Sequence, residues 1–360
     1  MITLFCIRPK GFNVGNDAIY IGMQHFLYEA FGEVVNIITL PATSRYESQA
    51  KAGLTARTIH EINQYGHGVI VGGGNLYENA ELDVDLNALS ALEVPLMLFS
   101  LSWGRIYNRE GKLVKRTNAM PEKTIYALND RADYSLARDH VTYGYLKKIG
   151  CTKVKLGGCP TIFLDKQAYR LPHLPDQDRD TVLISVRNPD LMNIPLTMQS
   201  GIYNELLSLI EYLRKKGLKK IHLLCHDYRD IPFAASFTGI DYIYTGDVYT
   251  YLSMLKSCKL NISFRLHSVL PCFSFNTPAI KISYDERALS VMDTIGMSDW
   301  NINLMETGDL LKAIKDKFEH IEDMKKVREK AQKTWKGLYG IMSGTFRSFA
   351  ADVNKYAAKF

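Results

Sequence analysis

The chain has 360 residues, of which 46% are hydrophobic and 23% charged, and its formal net charge is +6 at pH 7. This is an ordinary globular composition, and a chain of this length usually divides into two domains. Lysine and arginine are scattered, apart from residues 214–220 and the C-terminal segment, which argues against a dedicated nucleic-acid binder. Peripheral contact with an anionic membrane surface stays open.

The cysteines and the N-terminus bear on where the protein works. Six cysteines occur, none in a C-x-x-C pair and several in apolar runs, which predicts reduced thiols. The run MITLFCI is followed at once by Arg8-Pro9-Lys10, and it is too short for a signal peptide. No apolar stretch approaches the ~20 residues that a membrane-spanning helix needs. We therefore expect a cytoplasmic protein, with attachment at the inner face of the membrane left open.

The N-terminal half alternates short apolar runs with segments of helical period. The run ITLFCI predicts a first strand, and residues 18–31 predict a helix that Asn16 or Asp17 caps. Residues 82–92 also predict a helix. Further strands are predicted at VVNIITL, HGVIVGGGN, PLMLFSLSW, YSLARD and KVKLGG. Strands that alternate with helices indicate a parallel sheet covered by helices on both faces.

The same alternation restarts after residues 169–180, a segment with two prolines and no periodicity that predicts a linker. We expect an α/β protein with two doubly wound, Rossmann-like domains that face each other across a cleft. The predicted limits are residues 1–172 and 173–308, and the helices of residues 309–360 can cross back to the first domain. Ligands of such sheets bind at the carboxyl ends of the strands. The later strands are predicted at TVLISV, KIHLLCH, DYIYTG, KLNISF and PAIKISY.

Two strand-end loops of the first domain are rich in glycine and asparagine. In KGFNVGNDAIY, Gly11 and Gly15 permit close approach of the backbone, and the following helix presents free amides to a polar ligand; a plain capped turn is the alternative. In VIVGGGNLYE, the spacing is not that of a dinucleotide-binding fingerprint. There, Asn75 and Tyr77 can hydrogen-bond a polar acceptor.

Two strand-end loops of the second domain carry arginine and histidine. Arg187 ends the strand TVLISV, where its guanidinium suits a phosphate or carboxylate; a surface salt bridge is the alternative. Arg265 ends KLNISF, and His267 and Ser268 open the next helix, which combines an anion site with a proton-transfer group. A structural role for His267 is the alternative. No zinc spacing is present, and we expect no metal site.

Five motifs of this sequence, taken together and in their order along the chain, resemble those of the polysaccharide pyruvyl transferase family. The most specific is FRLHSVLPCFSFNTPAIKISYDERALSVMDTIGM, and the others are NVGNDAI, VIVGGGNL, SLARDHVTYGYLKKIG and ISVRN. The resemblance runs from residue 2 to about residue 305. It implies a glycosyltransferase-B-like fold and an enzyme that moves a pyruvyl group from phosphoenolpyruvate to a sugar of a cell-surface polysaccharide or glycan precursor. A pyruvate ketal forms and phosphate leaves.

The resemblance, with the loops above, assigns roles to individual residues. The expected co-substrate is phosphoenolpyruvate, with no cofactor, and the expected acceptor is a sugar or lipid-linked glycan; a homo-oligomer stays open. The family's usual Gly-Asp is Gly15-Asn16 here, and Arg287 stands where many members have lysine. The roles are catalysis for His267, Arg265 and Asp17; donor binding for Arg187, Arg265, His267, Ser268, Arg287 and Arg138; and acceptor binding for Asn13, Asn16, Gly73, Gly74, Asn75 and Tyr77.

Two other functions stay open at this point. One is a glycosyltransferase of the same architecture, whose arginines would hold the diphosphate of a nucleotide-sugar donor. The other is a non-catalytic protein that binds a glycan or phosphate in the same cleft. The acceptor sugar and the ketal linkage are not specified by the sequence.

Overall fold

The computed structural model describes residues 1–32, 34–45, 51–78 and 81–359. Its strands are β1 Ile2–Arg8, β2 Val35–Pro41, β3 Gly68–Gly74, β4 Leu96–Leu101, β5 Ile106–Tyr107, β6 Leu113–Val114, β7 Tyr134–Ala137, β8 Val154–Leu156, β9 Val182–Val186, β10 Ile221–Cys225, β11 Tyr242–Tyr244, β12 Leu260–Ser263, β13 Ala279–Ser283 and β14 Asn301–Asn303. Its helices are α1 Val14–Phe31, α2 Ala56–Tyr65, α3 Leu86–Leu89, α4 Glu122–Arg131, α5 His140–Lys148, α6 Leu196–Lys215, α7 Ile231–Ala235, α8 Val248–Ser257, α9 Leu266–Phe275, α10 Glu286–Thr294, α11 Leu310–Glu319 and α12 Asp323–Ala357.

Two parallel six-stranded sheets form the framework. The first has the order β2-β1-β3-β4-β7-β8, and the second has the order β11-β10-β9-β12-β13-β14. In each sheet the chain first adds strands to one side of the initial strand and then adds the remaining strands to its other side. The strand order therefore reverses at a switch point, which lies between β1 and β3 in the first sheet and between β9 and β12 in the second. The predicted α/β fold with two doubly wound sheets is confirmed. Switch points are where such sheets bind ligands.

Two local predictions were wrong, and one element was not predicted. Helix α1 begins at Val14, not at residue 18, because the Asn13 side chain accepts a hydrogen bond from the Gly15 amide at 2.9 Å and so caps the helix. The helix predicted over residues 82–92 is only the single turn α3. A short antiparallel hairpin of β5 and β6, which pairs Ile106 with Val114, was not predicted.

Helix α12 contacts elements of both sheets. In the first half of the helix, the Trp335 indole N–H donates to the Ile295 carbonyl, which follows α10, at 2.8 Å. Further along, the Phe346 ring stacks on Phe26 of α1 and meets Phe99 of β4 edge to face, with centroids 5.8 and 5.1 Å apart. The helix thus crosses from the second sheet to the first. The domain limits given above stay a prediction.

A continuous hydrophobic core runs through both sheets. It includes Leu4 and Met97 of the first sheet together with Ile184 and Ile262 of the second. A separate cluster covers the other face of the first sheet, with Val71 and Leu98 among its buried residues. In the described part of the chain, no helix is long and apolar enough to cross a membrane.

Candidate functional site

A cavity of about 380 Å³ lies between the two domains. The loops that line it follow the carboxyl ends of strands in both sheets, including β1 and β3 on one side and β9 and β12 on the other. These four strands flank the two switch points. A cavity of this size falls in the range that small-molecule ligands occupy.

The lining of the cavity is strongly cationic. Among the residues that the structure describes, three carboxylates line it, Glu81, Asp227 and Asp285. The described part of the chain contributes nine lysines and arginines to the lining, namely Lys10, Arg45, Arg116, Arg138, Arg187, Arg229, Arg265, Lys281 and Arg287. Even with further carboxylates behind some of these cations, such an excess favours an anionic ligand.

Asp230 holds two of the arginines side by side. This carboxylate is fully buried and makes an ion pair with Arg187 at 3.3 Å and with Arg265 through its other oxygen. It also accepts a hydrogen bond from the Asn188 amide at 3.1 Å. One carboxylate shared by two guanidiniums leaves a net positive charge at the switch point of the second sheet. Burial, reinforced by the charge of Arg265, lowers the pKa of Arg187.

Arg287 lies between two carboxylates from different domains. It pairs with Asp285 at 2.6 Å and with Glu78, which follows β3 in the first sheet, at 3.1 Å. Burial by itself lowers the pKa of Arg287, but Asp285 and Glu78 outweigh it and raise that pKa. Burial raises the pKa of Glu78 to about 7, although Arg287 opposes the shift. The pair therefore joins the two domains beside the cavity.

His267 lines the cavity at the start of α9. The residue is half-buried, and its Nε2 atom is buried with no hydrogen-bond partner in the described structure. Burial, with the charges of Arg138, Arg287, Lys281 and Arg265, lowers its pKa to about 3. The imidazole is therefore neutral at pH 7, so it can accept a proton, and a bound anion nearby would raise its pKa.

The backbone of His267 is held by a buried polar network. The Tyr251 hydroxyl donates to the His267 carbonyl at 2.8 Å, and it lies 3.0 Å from Nε2 of His226. Since the hydroxyl proton is used on the carbonyl, Nε2 of His226 must donate. This fixes the tautomer of a second neutral histidine, whose pKa burial holds well below its ordinary value. The His226 carbonyl accepts from the Val14 amide of the first domain at 3.1 Å.

The structure brings most of the predicted site residues together. Eight of them line the cavity, namely His267, Arg265, Arg187, Arg287, Arg138, Asn13, Asn16 and Asn75. They come from six strand-end loops in two domains, so the folded chain unites groups that are up to about 270 residues apart in sequence. The roles assigned to them stay predictions.

Five other predicted residues do not line the cavity. Asp17 forms an ion pair with Arg8 at 2.7 Å. The Tyr77 hydroxyl is buried and accepts a hydrogen bond from Asn129 at 2.9 Å. The buried Ser268 hydroxyl makes hydrogen bonds of 2.7 Å with the side chains of Ser185 and Asn261. Gly73 and Gly74 belong to strand β3, which is buried along its whole length.

Several residues of the site were not predicted from the sequence. Asp230 and Glu78 are the buried counter-charges of the arginines, and Arg116 adds a cation from the loop after the β5–β6 hairpin. Lys281 lies in the middle of β13 and lines the cavity. The sequence signal that could have identified Lys281 is its position as a charged residue within an apolar strand. Lysine is almost never fully buried unless it is paired.

Comparison with solved structures supports the class of fold. The UDP-GlcNAc 2-epimerase of Methanocaldococcus jannaschii, in complex with UDP-GlcNAc and UDP, is similar with a TM-score of 0.56 and 11% identity over 88% of this chain and 92% of that one. S. aureus MnaA with UDP gives a TM-score of 0.55 and 14% identity over 93% and 91%. The chain is thus a two-domain protein of the glycosyltransferase-B-like class.

Sequence comparison identifies the family. The polysaccharide pyruvyl transferase family matches residues 13–286. The amylovoran biosynthesis protein AmsJ of Erwinia amylovora is 24% identical over 295 residues, which cover 73% of this chain and 68% of AmsJ. The chain belongs to the polysaccharide pyruvyl transferase family, and this makes it a transferase of polysaccharide biosynthesis.

Proposed function

We propose that the protein transfers the pyruvyl group of phosphoenolpyruvate to a sugar of a cell-surface polysaccharide or its glycan precursor, with release of phosphate. Family membership supports the reaction type. The observation that carries the proposal is the pairing of Arg187 and Arg265 on one carboxylate, next to a neutral His267 whose Nε2 has no partner in the described structure.

The donor fits the charges of the cavity. Phosphoenolpyruvate carries a carboxylate and a phosphate, and it needs several cations to offset the loss of its hydration. Arg187 and Arg265 offer guanidiniums at the switch point, and Arg138 adds a third that is 3% exposed. Arginine stays charged at any physiological pH, which suits a site that must stabilise a leaving phosphate.

The acceptor fits the uncharged asparagines of the cavity lining. Asn13, Asn16 and Asn75 line it from the first domain, at the carboxyl ends of β1 and β3. Their amide groups can both donate to and accept from sugar hydroxyls. We infer that the sugar enters from this side, so that its two hydroxyls meet the donor at the level of His267.

His267 is suited to move the proton of the attacking hydroxyl. As the donor's methylene carbon C3 takes up a proton, the hydroxyl oxygen bonds to C2 and the neutral imidazole accepts the hydroxyl proton, which the imidazolium then returns to the departing phosphate. Attack by the second hydroxyl closes the ketal. The Tyr251 bond to the His267 carbonyl holds the start of α9 in place during these steps.

The test compares His267→Ala with His222→Ala. Both histidines are half-buried and both have a buried ring nitrogen without a hydrogen-bond partner in the described structure, but only His267 lines the cavity. With phosphoenolpyruvate and a panel of glycan acceptors, we expect wild type and His222→Ala to release phosphate. We expect His267→Ala to be at least about 100-fold slower, with a melting temperature close to wild type.

Two outcomes would count against the proposal. Absence of phosphate release by the folded wild-type protein across the panel would refute pyruvyl transfer. Stabilisation by nucleoside diphosphates, without any stabilisation by phosphoenolpyruvate, would favour a nucleotide-sugar donor instead.

A further inference from the structure

Lys281 is a buried cation at the floor of the cavity. It lies in the middle of β13, where its backbone is in register with Ser263 of β12 and Asn301 of β14, and the residue is 1% exposed. Its Nζ atom donates to the carbonyls of Phe264 and Ile282 at 3.2 and 2.5 Å. Two carbonyls use two of the three ammonium protons.

Lys281 forms no ion pair with any residue that the structure describes. The carboxylate of Asp285 faces it but pairs with Arg287 at 2.6 Å. The other charged or titratable groups around it are Arg265 together with His267, His226 and Tyr284. Burial lowers the pKa of Lys281 to about 7, with Asp285 opposing the shift and Arg265 adding to it.

A purely structural role explains this residue poorly. Its strand neighbours Ile280 and Ile282 are fully buried, and an aliphatic side chain at position 281 would continue the same run. An unpaired ammonium in the interior costs free energy unless it meets a ligand or exchanges a proton. At the lining of a cationic cavity, Lys281 is placed to meet an anionic ligand.

We propose that Lys281 is the proton donor to the methylene carbon of the pyruvyl donor, acting together with His267 as the proton acceptor. The inference rests on the proposed pyruvyl transfer and completes it, because that reaction needs an acid for the carbon as well as a base for the hydroxyl. The cavity holds both groups beside the arginines that would bind the donor.

The proton steps balance. The Lys281 ammonium gives its proton to C3, which becomes a methyl group, while the first sugar hydroxyl bonds to C2 and its proton passes to His267. The bond from C2 to the phosphate oxygen then breaks, and His267 returns its proton to the phosphate. The second hydroxyl bonds to C2 and its proton restores the Lys281 ammonium. Two hydroxyl protons are consumed, one on the methyl group and one on the phosphate.

The experiment measures phosphate release by Lys281→Gln and Lys281→Arg over a range of pH. The control is Lys220→Gln, since Nζ of Lys220 also donates to two carbonyls, those of Asp176 and Arg179 at 3.2 and 2.6 Å, but lies outside the cavity lining. We expect both Lys281 variants to lose at least about 100-fold in kcat, with less than a tenfold change in the KM for phosphoenolpyruvate. Lys220→Gln should match wild type.

The pH profile separates proton donation from a structural role. In wild type, kcat/KM should fall above about pH 7 as Lys281 deprotonates, and the residual activity of both variants should lack this limb. Lys281→Arg keeps the positive charge but not the titration, so recovery of wild-type activity in this variant would overturn the proposal. Activity of Lys281→Gln with the wild-type pH profile would overturn it equally.

A measurement on the wild-type protein covers the case in which a variant does not fold. Acetic anhydride should modify Lys281 increasingly above about pH 7, and phosphoenolpyruvate should protect it, as read by peptide mass spectrometry. Modification that phosphoenolpyruvate does not reduce would overturn the proposal. If wild type itself releases no phosphate, pyruvyl transfer fails; if wild type is active and the variants are too, only the role of Lys281 fails.

Discussion

Glu78 lies behind the cavity lining, where it forms an ion pair with Arg287 from the other domain. Its side chain is fully buried, and its Oε2 atom lies 3.1 Å from Nη1 of Arg287. Neither oxygen makes a hydrogen bond within the described structure. Because burial dominates, the folded state favours the protonated form of this carboxyl group, and its pKa rises to about 7.

The free energy of unfolding should therefore depend on pH through Glu78. The raised pKa means that its contribution is fully present below the ordinary value of about 4.5 and is lost as pH rises through 7. At about 1.4 kcal/mol per unit, wild type should lose about 3 kcal/mol over this range relative to Glu78→Gln. Urea unfolding at pH 5 and pH 8 measures the difference.

The control for this experiment is Glu211→Gln on the exposed face of α6. This variant should follow wild type at both pH values. An equal pH dependence of stability in wild type and Glu78→Gln would show that Glu78 is ionised in the folded protein throughout.

Residues of the site were predictable from the sequence where a charged or titratable side chain directly follows a predicted strand. Arg187, Arg265 and His267 follow predicted strands, and the loop position alone brought them to the cavity. Asp230 was not predictable, because its role depends on two arginines 43 and 35 residues away in sequence. The hydroxyl of Tyr77 finds its partner Asn129 only once the sheet has formed.

At the level of elements, the first turn of α1 packs directly on the start of α9. A Cβ atom placed on Gly15 would lie 2.9 Å from Cβ of His267 and 3.0 Å from the capping oxygen of Asn13. Distances this short require one of the two helices to move. Gly15 is thus needed for the close approach of the two domains at the cavity.

We expect Gly15→Ala to disturb His267 and the cap of α1 together. Phosphate release should fall at least about tenfold, and stability should fall by about 1–3 kcal/mol from the forced shift of packed elements. The matched control is Gly201→Ala in α6, where a Cβ meets nothing within 4 Å. That variant should keep its activity and gain up to about 1 kcal/mol from helix propensity. Equal behaviour of the two variants in these assays would contradict the packing argument.

Elements with strong periodicity were predicted well, and short ones were not. The helix predicted over residues 18–31 is the body of α1, Val14–Phe31, and it ends at the predicted residue. The start of α1 was misplaced because its first turn contains Gly15 and Asn16, two residues of low helix propensity. The strands β5 and β6 have two residues each, too few for any alternation to be visible.

At the scale of the whole molecule, the two sheets share one core and one crossing helix. Phe346 of α12 is fully buried between α1 and β4, while the first turns of the same helix lie on elements of the second sheet. We therefore expect the protein to unfold in one cooperative transition, by both circular dichroism and tryptophan fluorescence.

The variant Phe346→Ala tests whether α12 couples the unfolding of the two domains. The substitution should cost about 3–5 kcal/mol, the usual range for a buried phenylalanine, and should lower the single transition without splitting it. Two separate transitions in the variant, or in wild type, would mean that the domains are stable independently and that α12 does not unite them.

The architecture itself was predictable because the alternation of strands and helices spans the whole chain. Regular alternation admits few topologies, and both sheets follow the doubly wound order. The cavity's charge balance was not predictable, since it depends on which of the 82 charged residues meet at the two switch points.

The most direct test of the account is the mass of the acceptor glycan after incubation with the wild-type protein and phosphoenolpyruvate. The account predicts an acceptor heavier by one pyruvyl ketal, with one phosphate released for each ketal formed. Phosphate release without a pyruvylated acceptor, or an unchanged acceptor across the whole panel, would contradict it.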